Sequence, residues 1–139
     1  MVFKKTEQTY QRNEITYTMD IYTKEEKDFT IEIKRFYRML YGNCWCLYVY
    51  IKKSHPMYKF IENLSIEDDY DFGDKIYPHF HGGCTFLKKE NESFKIGCDY
   101  QHCFDDIFVS SNIILPTLDK DAKKLYNFFK EWKEEQWQS

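Results

Sequence analysis

The run Cys44–Ile51, with the sequence CWCLYVYI, restricts the possible folds of this chain more than any other segment. Large apolar side chains alternate with cysteines and tyrosines along it, which is the period-two pattern of a β-strand. Trp45, Leu47, Val49 and Ile51 fall on one side of that strand. Because the other side also carries weakly polar or aromatic residues, we predict a central strand that is covered on both faces.

Two shorter alternating runs, from Ile15 to Ile21 and from Phe29 to Ile33, precede this strand. The charged segment Thr23–Asp28 separates them, so they predict a β-hairpin. The polar residues 1–13 are expected to form an edge segment or a frayed end.

A C-terminal helix is predicted after Pro116, with Thr117 as its cap. Apolar residues follow at spacings of three and four and form one stripe: Leu118, Ala122, Leu125, Phe129 and Trp132. A helix with one apolar stripe covers a sheet more readily than it stands alone. The predicted fold is therefore α+β, a mainly antiparallel sheet of five to six strands with one C-terminal helix packed on it, in a single domain of residues 1–139.

Charge and cysteine content exclude several classes of protein. The net charge of −3 argues against nonspecific binding to nucleic acid or to membrane surfaces. No apolar run approaches the length of a membrane span, and no secretory signal opens the chain. Five cysteines without the layout of a disulfide scaffold favour reduced thiols, so we expect a cytoplasmic protein. Cys44 and Cys46 are candidates to bind a metal with Cys103, although such residues more often fill a core.

The chemistry is expected in the stretch Tyr77–Asp106, which holds three of the four histidines and three of the five cysteines. Within it, strands at 76–87 and 94–99 are predicted to form a hairpin around the charged turn Lys88–Glu92. One face of this hairpin is apolar and is assigned to the core: Ile76, Phe80, Cys84, Phe86, Phe94, Ile96 and Cys98. The opposite face carries the polar residues and the glycines.

A turn centred near Asn91 gives the hairpin a specific register. That register pairs Thr85 with Lys95, Gly83 with Gly97, and His81 with Asp99. Paired glycines would leave a bare patch on the sheet where a ligand can approach. A carboxylate beside His81 would fix the tautomer of its imidazole.

Three interpretations of the resulting polar cluster remain open. The first is a metal-free ligand pocket formed by His81, Gly82, Gly83, Thr85, Asp99, His102 and Asp105. The second is a site for Zn²⁺ or another divalent metal, with His79, His81, His102 and Asp106 as ligands. The third is a hydrogen-bonded turn, in which Asp99 caps the segment that follows it.

With these residues the chain resembles a group of small, mostly uncharacterised proteins of bacteriophages and prophages. The group pattern runs Cys-Gly-Tyr-Val, Gly-His-Pro, an acidic connection, His-Gly-Gly-Leu-Thr-Tyr and Gly-Phe-Asp-Cys-x-His-x-x-Asp. The matching segments here are Cys46–Val49, Ser54–Pro56, His81–Phe86 and Gly97–Asp105. The chain departs from the pattern with Ser54 and Phe104 in place of glycines and Tyr100 in place of a cysteine.

The resemblance implies a viral or mobile-element accessory protein that acts inside a bacterium, often against host defences. We expect a counter-defence protein that sequesters a small polar or nucleotide-like ligand and needs no cofactor. One alternative is a metal-dependent hydrolase that uses the His/Asp cluster. Another is an inhibitor that binds a host defence enzyme through its tyrosine-rich surface or its acidic segment 67–74. A homo-oligomer is compatible with each of these hypotheses.

Overall fold

The structure of this protein is a computed structural model, and it describes residues 2–38, 42–62, 86–90, 92–100 and 116–133. The strands are β1 (Lys4–Arg12), β2 (Ile15–Glu25), β3 (Phe29–Arg38), β4 (Gly42–Lys52), β5 (Phe86–Lys89) and β6 (Ser93–Asp99). They form one six-stranded sheet in the order β1-β2-β3-β4-β6-β5, and each neighbouring pair is antiparallel. The helices are α1 (Tyr58–Glu62) and α2 (Pro116–Lys130). The α+β prediction is confirmed.

The central position of β4 is also confirmed, since it lies between β3 and β6. Its residues Trp45, Leu47, Val49 and Ile51 have no exposed surface. The register places their β3 and β6 neighbours on the same side, which we call the core face: Phe29, Ile31, Ile33, Phe94, Ile96 and Cys98. The opposite side is the second face. There Tyr48 and Tyr50 are half-buried, so β4 is covered less completely on this side.

Helix α2 packs on the core face against β3 and β4. Its stripe of Leu118, Ala122, Leu125 and Phe129 is buried, as predicted. Each large side chain of such a stripe contributes about 1.5–3 kcal/mol on leaving water. The helix begins at Pro116, so Thr117 lies inside the first turn and does not cap it. Proline suits the first helical position because the N–H that it lacks would have no partner there. Within the described residues, neither helix is long and apolar enough to cross a membrane.

The β5–β6 hairpin exists, but its predicted register is wrong. Lys95 lies opposite Lys88 and not Thr85, and Gly97 lies opposite Phe86 and not Gly83. The offset is three residues, and an odd offset exchanges the two faces of a strand. Leu87 therefore pairs with Ile96 and packs against the core, at the side where Phe86 was predicted.

A two-stranded arm extends from the sheet at its β1 edge. Residues 8–19 pair with each other across β1 and β2, whereas the ladder between β2 and β3 begins only at Asp20. The edge position predicted for residues 1–13 is thus confirmed for β1. Asn13 (φ 52°) and Glu14 (φ 65°) form the tip of the arm. Two successive residues with positive φ are typical of a type I′ hairpin turn, in which asparagine is well tolerated and glutamate is not.

Replacing Glu14 with glycine is expected to stabilise the protein by about 0.5–1 kcal/mol, because glycine adopts a positive φ without the steric cost of a Cβ atom. Urea unfolding of the wild type and of Glu14→Gly measures the difference. Glu7→Gly in the regular part of β1 is the control and should destabilise, since glycine weakens a strand interior. A loss of stability in Glu14→Gly would contradict the turn conformation.

Candidate functional site

Of the predicted site residues, Asp99 lies in the described part of the chain. The others lie outside the described residues: His79, His81, Gly82, Gly83, Thr85, His102, Asp105 and Asp106. Asp99 is the last residue of β6, is half-buried and pairs with Cys46 on β4. It shares the second face with Lys95 and Gly97, as the alternation in the sequence predicts.

Gly97 does not provide the open floor that the sequence suggested. It lies beside Tyr48 on β4, and a Cβ atom at this position would clash with the Leu47 carbonyl oxygen and with the Tyr48 ring. The tyrosine ring therefore occupies the space above the glycine. Glycine is required here for packing against a neighbouring strand and not for the approach of a ligand.

The second face carries side chains from neighbouring strands in three rows, most of them polar. The first row is Thr30, Tyr50, Lys95 and Lys88; the second is Glu32, Tyr48 and Gly97; the third is Lys34, Cys46 and Asp99. Successive rows are about 6.6 Å apart and neighbouring strands about 4.8 Å apart. Lys34 and Asp99 are thus separated by about 10 Å at the level of the backbone, with Cys46 between them.

Lys95 is the centre of this polar surface. Its Nζ lies 4.2 Å from the centroid of the Tyr48 ring and 5.2 Å from that of Tyr50. The Nζ of Lys34 lies 5.6 Å from the Tyr48 centroid. Two ammonium groups from different strands therefore approach the same aromatic ring, an arrangement stabilised by cation–π attraction.

Glu32 is the buried carboxylate of the surface, with 9% of its area exposed. Its Oε1 accepts a hydrogen bond from the Tyr50 hydroxyl at 3.1 Å and lies 3.5 Å from the Nζ of Lys34. This carboxylate is satisfied by two groups that belong to the surface itself. It also fixes the position of the Tyr50 ring against which Lys95 lies.

Several ionisable groups of this surface have shifted pKa values. Burial, followed by repulsion from Lys34, lowers the pKa of Lys95. Burial and the neighbouring Glu32 raise the pKa of Tyr50, and burial raises that of Tyr48. A group of partly buried residues with shifted pKa values is a common property of binding and catalytic sites. Both tyrosines stay protonated at neutral pH and can donate hydrogen bonds.

The sequence contained part of the signal for this surface. Alternation places Lys95 on the polar side of β6 and Tyr48 and Tyr50 on one side of β4. It does not show that β6 lies beside β4 or that β3 brings Lys34 and Glu32 to the other side of the tyrosines. Those neighbours follow from the strand order, which no local pattern contains.

His55 lies in the Ser54–Pro56 segment, which matches the Gly-His-Pro part of the group pattern. It is neither exposed to solvent nor near Asp99, because it follows the far end of β4 from Cys46. The side chain is 4% exposed. Its Nε2 lies 2.8 Å from the carbonyl oxygen of Phe129, and its Nδ1 accepts a hydrogen bond from the Met57 N–H at 3.0 Å. It holds the C-terminal turn of α2 against the β4–α1 connection.

Cys44, Cys46 and Cys98 are buried and do not form disulfide bonds. Burial raises the pKa of Cys46, which disfavours the thiolate that a metal or a nucleophilic reaction requires. Cys98 belongs to the hydrophobic core, whereas Cys44 and Cys46 are buried on the second face, and Cys103 lies outside the described residues. Within the described ranges, no group of three histidine, cysteine or acidic side chains is arranged to hold a metal ion.

The second face thus carries one predicted site residue, Asp99, together with a cluster of two lysines and two tyrosines that the motifs did not identify: Lys34, Lys95, Tyr48 and Tyr50.

Comparison of the chain with protein-family models, with curated proteins and with solved structures gave no match.

Proposed function

We propose that this protein binds a small polar or nucleotide-like ligand on the second face of its sheet and sequesters it without transforming it. The observation that carries this proposal is the position of Lys95, half-buried between the rings of Tyr48 and Tyr50 on the face that also carries Asp99. Holding a cation in such a place costs solvation. A ligand that pairs with the cation offsets part of that cost.

The spacing on the second face favours a ligand with two separate polar groups. Lys95 and Asp99 are four residues apart on β6, which corresponds to about 13 Å along the strand. A ligand that contacts both needs one group suited to a cation and another that donates hydrogen bonds to a carboxylate. Nucleotide-like molecules have both, in their phosphates and in their sugar hydroxyls or base amines.

The remaining parts of the proposal come from the sequence. His81, Gly82, Gly83, Thr85, His102 and Asp105 are proposed to complete the pocket around Asp99. The role as a phage or mobile-element protein that counters a host defence signal rests on the resemblance. A binding protein that gains affinity from paired hydrogen bonds needs no catalytic group.

The proposal predicts that a small molecule accompanies the protein when it is purified from a bacterial lysate, and that Asp99→Asn, His81→Ala or His102→Ala each lose it. Native mass spectrometry measures the bound mass, and the melting temperature of each variant should stay close to that of the wild type. Asp119→Asn, a half-buried carboxylate on α2, is the control and should retain the ligand.

Two results would contradict this function. One is a wild-type protein that carries no small molecule and binds none of a panel of nucleotides. The other is a bound mass of one divalent metal ion per chain that depends on His79, His81 and His102, which would instead favour the metal-dependent hydrolase. If Asp99→Asn loses both the ligand and a large part of the stability, Asp99 caps a turn and does not act in ligand binding.

A further inference from the structure

We propose that Lys34 and Lys95 together hold a phosphate group of the ligand. This inference rests on the proposed function and names the chemical class of its ligand. The two ammonium groups come from β3 and β6, on opposite sides of β4, and converge on the ring of Tyr48. Such convergence requires the observed strand order and register, so it is a property of the fold and not of a flexible surface segment.

The charges around the lysine pair decide which ligand it suits. Those that face it are Glu32 from β3, the hydroxyls of Tyr48 and Tyr50 from β4, Glu90 from the turn before β6, and Lys88, opposite Lys95 on β5. Glu32 already accepts the Tyr50 hydroxyl and pairs with Lys34. Lys88 adds a third cation to the same row of the sheet. Around Lys95 the lysines Lys34 and Lys88 face the carboxylates Glu32 and Glu90, so an anion that reaches Lys95 meets a small excess of positive charge.

Phosphate fits this surface better than a carboxylate does. A phosphate monoester carries about −1.5 to −2 charges at neutral pH and three strong acceptor oxygens. Lysine binds phosphate as a point charge with three donors, and two lysines on different strands can each contact a different oxygen. The second charge of the phosphate also offsets the mutual repulsion of the two ammonium groups, which a monoanion offsets only in part.

The protonation of Lys95 gives this site a distinctive pH dependence. Burial and repulsion from Lys34 lower its pKa in the unliganded protein, and a bound phosphate favours the charged form. Phosphate binding is therefore coupled to protonation of Lys95 once the pH approaches that lowered pKa. Affinity should fall with rising pH below the range in which an ordinary lysine titrates, at about 10.4.

Calorimetric titration of the full chain with inorganic phosphate tests the site. We expect Lys95→Met and Lys34→Met each to weaken phosphate binding by at least about tenfold, the effect of losing one charge-assisted contact. Lys89→Met is the matched control, because Lys89 pairs with Phe94 and lies on the opposite face of the same hairpin. It makes the same change of charge and should alter the affinity by less than about twofold, as expected for a distant screened charge.

Stability separates binding from folding in these variants. Lys95→Met removes the desolvation cost of the cation and its repulsion from Lys34, and these offset the two cation–π contacts that it loses, so its melting temperature should not fall far below that of the wild type. If it does fall, the pH series on the wild type alone decides. A phosphate affinity that does not fall between about pH 8 and pH 11 would overturn the proposal, because phosphate remains a dianion over this range whereas Lys95, whose pKa is lowered from that of an ordinary lysine, loses its proton by the end of it.

Other outcomes distinguish the phosphate site from the ligand pocket. Wild-type binding of phosphate that Lys95→Met retains in full would overturn the phosphate site. A co-purified ligand without phosphate, lost in Asp99→Asn and kept in Lys95→Met, would also overturn the phosphate site. It would leave the proposed function in place. Lysine-dependent phosphate binding, with no ligand that depends on Asp99 or His81, would support the phosphate site and remove the pocket.

Discussion

Replacing Arg35 with methionine is expected to lower the free energy of unfolding by about 3–5 kcal/mol, because it leaves a buried carboxylate without its guanidinium partner. Asp20 is 2% exposed, and Arg35 donates a hydrogen bond to its Oδ2. The two residues form the last cross-strand pair between β2 and β3, where the arm of residues 8–19 leaves the sheet. Methionine keeps a side chain of similar length but also removes the cation–π contact of the guanidinium, whose Cζ lies 5.9 Å from the centroid of the Trp45 ring.

A double variant shows whether the loss comes from the unpaired charge or from packing. Asp20→Leu together with Arg35→Met removes both charges and should recover most of the stability, since a buried ion pair is often replaceable by apolar residues. The control for an exposed pair is Lys5→Met, which breaks the Lys5–Glu7 contact of 3.7 Å and should cost less than about 1 kcal/mol. Urea unfolding measures all three variants. A loss in Arg35→Met no larger than that in Lys5→Met would mean that Arg35 does not hold Asp20.

The sequence predicts the elements of this fold well and one of its registers poorly. β2, β3, β4, β6 and α2 have strong periodic patterns, and burial on one face is what produces those patterns. The exposed β1 and the short α1 have no such pattern. The predicted β5–β6 register is wrong because the charges of Lys88 and Lys89 favour a turn, whereas β5 continues through both residues. Long charged side chains are common on an edge strand, where they discourage pairing with another chain. Their charge therefore did not mark the end of the strand.

The candidate site was predictable only where it depends on alternation. Asp99 and Lys95 lie on the predicted face of β6. Whether Gly97 leaves an open space or makes room for a neighbouring side chain depends on the ring of Tyr48 from the neighbouring strand. A glycine facing a cavity and a glycine facing a tyrosine look the same in sequence. The distinction needs the partner strand and its register, which are set by contacts between distant parts of the chain.

His55 shows the same limit at a longer range, since Phe129, which holds one side of its ring, is 74 residues away. A residue before proline is held extended, and this is all that the local sequence predicts for His55. The Met57 N–H donates to Nδ1, so Nε2 carries the proton and donates to the Phe129 carbonyl. Both ring nitrogens are thereby used in the neutral form. A second proton, on Nδ1, would break the contact with Met57.

Replacing His55 with leucine is expected to cost about 2–4 kcal/mol of unfolding free energy, because it leaves the Met57 N–H and the Phe129 carbonyl buried without these hydrogen bonds. Ser54→Ala is the control at the adjacent exposed position. Its hydroxyl makes a 3.4 Å contact with the Lys27 carbonyl, and its loss should change stability by less than about 0.5 kcal/mol. A cost in His55→Leu as small as that of Ser54→Ala would mean that His55 does not anchor the end of α2.

The pH dependence of the same variant identifies the mechanism. Burial lowers the pKa of His55 from 6.5, so between the lowered value and 6.5 the unfolded chain binds more protons than the folded one. The stabilisation from neutral His55 is therefore complete above about pH 6.5 and is lost as the pH falls through the folded-state pKa. Wild-type stability should decline over this range more steeply than that of His55→Leu. The other three histidines are common to both proteins, so parallel curves would show that His55 does not titrate with folding.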